Sequence, residues 1–263
     1  TAVGRDALKV NTTGASNTAV GKDSLSTNTT AGANVAVGDS ALKTSTTSEN
    51  VAVGKQALTA QTTGIYNVAV GSKAMIKNTT GTRNVAVGAT TLACNTTGSC
   101  NTAVGGMDAG TLPVMWKNTT GSQNTAIGNA TLVKNTTADF NTAVGALALY
   151  ANTTGTQNVA VGSNSLDTAT TGNCNTAIGH GSMGETTTGS CNTAVGRTAL
   201  FSTTTGNNNT AIGVNSLATN ITGSSNTSVG MNALDANTTA SNNTAVGYNS
   251  LSANTTGSAN TAV

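Results

Sequence analysis

The chain has 263 residues and a net charge of +2, with 8% charged and 2% aromatic residues, 31 Gly and one Pro. So few charges, with no Lys/Arg cluster along the sequence, leave no electrostatic footprint for nucleic acid or a membrane surface. No run approaches the roughly 18 apolar residues of a membrane span, so no membrane insertion is expected, and abundant Val and Thr favour strands over disorder.

Read from Thr1, the chain falls into units of seventeen residues. The first is TAVGRDALKVNTTGASN, Thr1–Asn17, and the last complete one is TAVGYNSLSANTTGSAN, Thr244–Asn260. Fifteen units are followed by the opening of a sixteenth, Thr261–Val263. The third unit is one residue short, and the seventh carries six extra residues. Position one is Thr or Val, position two is Ala except at Ser228, and position three is Val or Ile. Position four is always Gly, position eight is Leu or Met, and position seventeen is always Asn.

A period of seventeen is too short for helix-pair repeats, and Gly and Asn are too frequent for helices. The unit suits one coil of a parallel β-solenoid, or β-roll. The whole chain, 1–263, then reads as a single all-β array of about fifteen coils. "NTAV" and "xxAL" read as two short strands, with Gly and NTTG as turns. Stacking turns each position into a ladder, because one coil cannot bury its apolar face alone. The Val/Ile and Leu ladders are the expected core, and Ala is the expected site of close approach by another sheet or chain. The final Asn is expected to take a left-handed turn and to bond amide to amide along the stack. Position one is Val at Val35, Val51, Val68, Val85 and Val159. A second copy of the chain, in a threefold bundle, is expected to cover that face.

These repeats, N-[TV]-A-[VI]-G followed by small residues, Leu and NTTG, resemble the head repeats of trimeric autotransporter adhesins. They are similar also to repeats of phage tail fibres. The resemblance implies a left-handed parallel β-roll that trimerises and serves as a stalk or adhesive head outside the cell. It implies a homotrimeric or stacked fibre as the partner state, a host receptor or glycan as the target, and a virion fibre or cell surface as the location. The chain departs from the adhesin pattern in its longer period. It reads as a piece of a longer fibre protein.

Four features interrupt the pattern. Cys174 and Cys191 are seventeen residues apart, at the same position of adjacent coils, where a rung spacing of about 4.8 Å would allow a disulfide. Cys94 and Cys100 flank one NTTG turn and are a second candidate pair; free thiols are the alternative, and the spacings are not those of a zinc site. The insertion at 106–117 holds the only Pro and the only Trp. Pro113, Met115 and Trp116 are there the candidate recognition residues, set against a plain surface bulge. The NTT segments are N-glycosylation sequons at Asn11, Asn28, Asn78, Asn95, Asn118, Asn135, Asn152, Asn220, Asn237 and Asn254, set against a polar turn ladder.

No catalytic set emerges. The single His180 has no partner motif and is expected to face solvent, and the nine acidic residues show no recurring pair of the kind glycoside hydrolysis needs. No enzyme, cofactor or metal is expected. A structural or adhesive fibre segment is the leading reading, with a glycosylated or end-to-end stacked filament as the alternative. Ice binding ranks lower, because paired Thr residues such as Thr12 and Thr13 are adjacent and point opposite ways, while the i, i+2 pair of each strand is Thr and Val, with Val often replacing the Thr.

Overall fold

The computed structural model describes residues 1–106 and 112–263 and is all-β, a parallel β-solenoid with one short strand per coil. The chain divides into two compact units, Thr1–Ala138 and Asp139–Val263. In the first, strands from Ala2–Val3 to Thr125–Ile127 each pair in parallel with the next. In the second, strands from Thr142–Val144 to Thr261–Ala262 do the same. The register is strict: Thr pairs Thr or Val, Ala pairs Ala, Val pairs Val or Ile. It survives both irregular units, since Val35 pairs Val51 across the short coil and Thr102 pairs Thr125 across the long one.

The faces are the reverse of those expected. From Ala19 to Ala245 the position-two row is fully buried, while Val and Ile at position three stand half-exposed or exposed, with Val20 at 36% and Ile212 at 41%. Period-two alternation sends these neighbours to opposite faces. The coil is so narrow that its inward face has room only for Ala. Where Ser228 takes the Ala position, its buried hydroxyl is satisfied. It receives a hydrogen bond from Ser216 at 2.7 Å and donates to the Ala233 carbonyl at 2.7 Å. Ala233 is position seven of the same coil, which shows how close the strand lies to the opposite corner.

The expected second strand, "xxAL", is a corner instead. Positions six, eight and sixteen hold positive φ, with Leu8 at 49°, Leu42 at 48° and Leu200 at 53°. An L-residue in this conformation costs about 1–2 kcal/mol. Full burial of Leu contributes about 1.5–3 kcal/mol, so burial wins narrowly. A β-branched side chain would be opposed more strongly in this region, which explains why position eight is Leu or Met and never Val or Ile. The corner is also tied between coils: Leu25 N donates to Ala41 O at 3.1 Å, and Asp23 N to Arg5 O at 2.9 Å.

Gly at position four has the expected role. At Gly54 φ is +134°, and a Cβ would lie 2.5 Å from the carbonyl oxygen of Gly71 in the next coil.

The Asn at position seventeen is not left-handed, unlike the expectation; its amide is a buried ladder. Asn84 donates from Nδ2 to Asn67 Oδ1 at 3.2 Å and to Gly98 O at 2.8 Å. Its Oδ1 in turn accepts from the backbone N of Asn101 at 3.0 Å and from Asn101 Nδ2 at 3.1 Å. Every polar group of this amide is used, which is the condition for burying it without loss.

Candidate functional surfaces

The outward strand face presents two rows in each unit, Thr or Val at position one and Val or Ile at position three. Ile127 is 39% exposed, Ile178 40% and Ile212 41%. Neighbouring rungs repeat at about 4.8 Å, so each unit carries a regular apolar ridge.

The sequon asparagines are turned inward. Asn28, Asn78, Asn95, Asn118, Asn135, Asn152, Asn220 and Asn237 are fully buried, and only Asn11 and Asn254 are half-buried. Asn95 Nδ2 donates to Asn78 Oδ1 at 2.7 Å and to Gly98 O at 2.9 Å. Asn11 and Asn254 make the same turn contact, to Gly14 O at 3.0 Å and Gly257 O at 2.9 Å. The nitrogen that an N-glycan would occupy is therefore the donor that closes the NTTG turn. The glycosylation expectation gives way to the polar turn ladder. The ladder tolerates some exchanges: Gln61 accepts from Asn78 at 2.6 Å, and Thr203 from Asn220 at 3.3 Å. Where Ser45 breaks it, the buried Asn28 Oδ1 is left without a donor.

All four thiols are free; Cys94 is half-buried, and Cys100, Cys174 and Cys191 are exposed. Cys174 and Cys191 do occupy one column: Cys191 N donates to Asn173 O at 2.9 Å, and Cys174 N to Thr156 O at 3.0 Å. Cys94 and Cys100 stand at positions ten and sixteen, on opposite limbs of their turn. Cys94 is instead beside Lys77, whose Nζ lies 4.0 Å from its sulfur.

The insertion resolves into two parts. Residues 107–111 lie outside the described residues. Val114–Lys117 rejoin the coil at positions seven to ten. Pro113 and Met115 are buried, Met115 completely, as the position-eight residue of its coil. Met115 N donates to Thr131 O at 3.1 Å. So neither Pro113 nor Met115 is open to a receptor. Trp116, half-buried at position nine beside the exposed Lys117, is the one candidate of the three that reaches the surface.

Position sixteen stood out in the sequence only at its cysteines, Cys100, Cys174 and Cys191. It projects from a positive-φ backbone in every unit, including Glu49, Tyr66, Arg83, Cys100 and Phe140. Arg83 stacks 5.6 Å from the Tyr66 ring centroid, a cation–π contact. A hydrogen bond to the Glu49 carboxylate, more than that charge itself, holds the Tyr66 phenol above its ordinary value. Three consecutive coils thus stack a carboxylate, a phenol and a guanidinium in one column. His180 is exposed, as expected. Among the described residues no cluster of three or more His, Cys, Asp or Glu has the arrangement of a metal site.

The sequence matches no family model, and no curated protein matches it.

Proposed function

We propose that the chain is a structural and adhesive segment of an extracellular fibre, assembled with two further copies of itself through the outward strand face. The observation that carries this reading is the half-exposed Val/Ile row beside the Thr/Val row. A partner for such a ridge must offer apolar groups at the same rung spacing over many rungs. The surface that does so by construction is another copy of this chain. Three copies, rather than two, follows the adhesin resemblance. Trp116, half-exposed at the rejoined end of the insertion, is the proposed contact for a host glycan or receptor.

Sedimentation equilibrium of the full chain tests the assembly. The expected mass is three times the 25.6 kDa of one chain, unchanged by high salt because the contact is apolar. A single 25.6 kDa species at micromolar concentration would overturn it. Glycan-array binding lost in Trp116→Ala, with the mass unchanged, is the result expected for the contact; binding that survives Trp116→Ala would remove it.

A further inference from the structure

Charge is divided between the two units. The first, residues 1–138, holds ten Lys and Arg against five Asp and Glu, a formal +5; the second holds one against four, a formal −3. The division is concentrated at one edge of the coil, at positions six, nine and ten. These positions lie within reach of one another: Lys9 pairs Asp6 at 3.3 Å within one coil, and Lys43 pairs Asp23 at 3.4 Å across coils. In the first three coils this edge is therefore neutralised.

From the fifth coil to the eighth the same edge changes. Lys73 and Lys77 stand in the fifth coil, Lys117 in the seventh and Lys134 in the eighth. The column is continuous: Lys77 N donates to Ala93 O at 3.2 Å and Lys117 N to Val133 O at 3.0 Å, each reaching the next coil. Lys73, Lys77 and Lys117 are exposed. Among the described residues between 51 and 138 there is no Asp or Glu at all.

In the second unit the corresponding edge is acidic. Asp167 stands at position nine, Glu185 at position ten of the next coil, and Asp235 at position nine further on. Burial holds the Asp167 carboxyl above its ordinary value, and the neighbouring Glu185 charge adds to it. Like charges this close have no cation of their own edge to meet. The single cation of the unit, Arg197, is at position five.

We propose that this edge is a second interface, at which the basic stretch of one copy docks on the acidic stretch of another. The steps match: Lys117 and Lys134 are one coil apart, and so are Asp167 and Glu185. A free polyanion would use only the basic half and would be repelled by the acidic unit, whereas a second copy uses both. Exposed ion pairs are individually weak and salt-screened, so the association is low in affinity and needs low ionic strength. It joins copies, or bundles of copies, side by side, and does not depend on the Val/Ile face.

Sedimentation velocity of the full chain tests it, at about 10 mM salt, where charges reach roughly 30 Å, and at about 1 M, where they reach roughly 3 Å. The average mass is expected to at least double at low salt and to return at high salt. Lys77→Glu with Lys117→Glu abolishes the rise, as does Asp167→Lys with Glu185→Lys. Mixing the two variants, whose edges are now complementary, restores it. Glu185→Lys alone, at an exposed side chain, gives an intermediate loss. A mass that ignores salt, or a rise that survives both reversals, overturns the proposal. So does a chain that ignores salt yet is retained by a sulfated polysaccharide through the same lysines. Loss of assembly at high salt as well would count instead against the apolar strand-face contact.

Discussion

Ala160 and Val161 are adjacent residues of one three-residue strand, and their fates are opposite. The smaller is fully buried and the larger is half-exposed. The ordinary expectation, that the larger apolar side chain goes inside, fails because the interior is set by the coil and not by the strand. One coil has a single strand and a corner drawn close behind it. Its inside is filled by Leu or Met from position eight, and the amide ladder of Asn fills the other end. What remains for the strand is room for one methyl group. The Val/Ile row is left outside, where it is available to another surface.

The contrast can be broken most severely from the inside. Leu149→Ala removes a fully buried side chain from a coil that cannot collapse further, and is expected to lower stability by about 2–5 kcal/mol in denaturant unfolding. Leu149→Ile sharpens the point. Swaps of this kind usually cost under about 1.5 kcal/mol, but φ at Leu149 is 50°, so a larger loss is expected here. Next comes Asn84→Ala. It leaves the Asn101 backbone N without a partner in a buried site, at about 1–3 kcal/mol, and takes from the Gly98 carbonyl one of its two donors, Asn95 Nδ2 remaining. The outside is predicted to behave differently. Ile178→Thr is expected to change the stability of the isolated chain by no more than about 0.5 kcal/mol, while weakening its assembly. The smallest effect concerns the exposed Cys174 and Cys191. On exposure to molecular oxygen or a small-molecule disulfide, the pair is predicted to lose two hydrogens and close one rung. Thiol titration under denaturing conditions then finds two free Cys; four would contradict the pairing.

Much of this was legible in the sequence. The period, the parallel stacking and the in-register columns follow from the repeat alone, and Gly at position four sits in the strained backbone expected of it. The Leu ladder and the amide ladder were also readable. The reversal of Ala and Val was not, because alternation says only that they face opposite ways; the width of the coil decides which way is in. The corner at "xxAL" was misread as a strand because a run of positive-φ Leu residues leaves no trace in propensity. Its one signal was the absence of Val and Ile at position eight. The sequons looked available because NTT is polar, yet the amide nitrogen of Asn95 is already committed to Gly98 and Asn78. The charged edge was hidden differently. Lys77 and Lys117 are forty residues apart in sequence, and they meet in one column only after the long seventh coil is put in register.

The central claim is that the inward rows hold each chain together while the outward Val/Ile row holds copies to each other. Sedimentation equilibrium of a triple variant, Ile127→Thr, Ile178→Thr and Ile212→Thr, tests it most directly when paired with its circular dichroism spectrum. At about 1 M salt, where the charged edge is screened, the prediction is a single 25.6 kDa species whose spectrum matches that of the parent chain. A variant that keeps the parent's assembled mass, or one that loses its β spectrum, would contradict it.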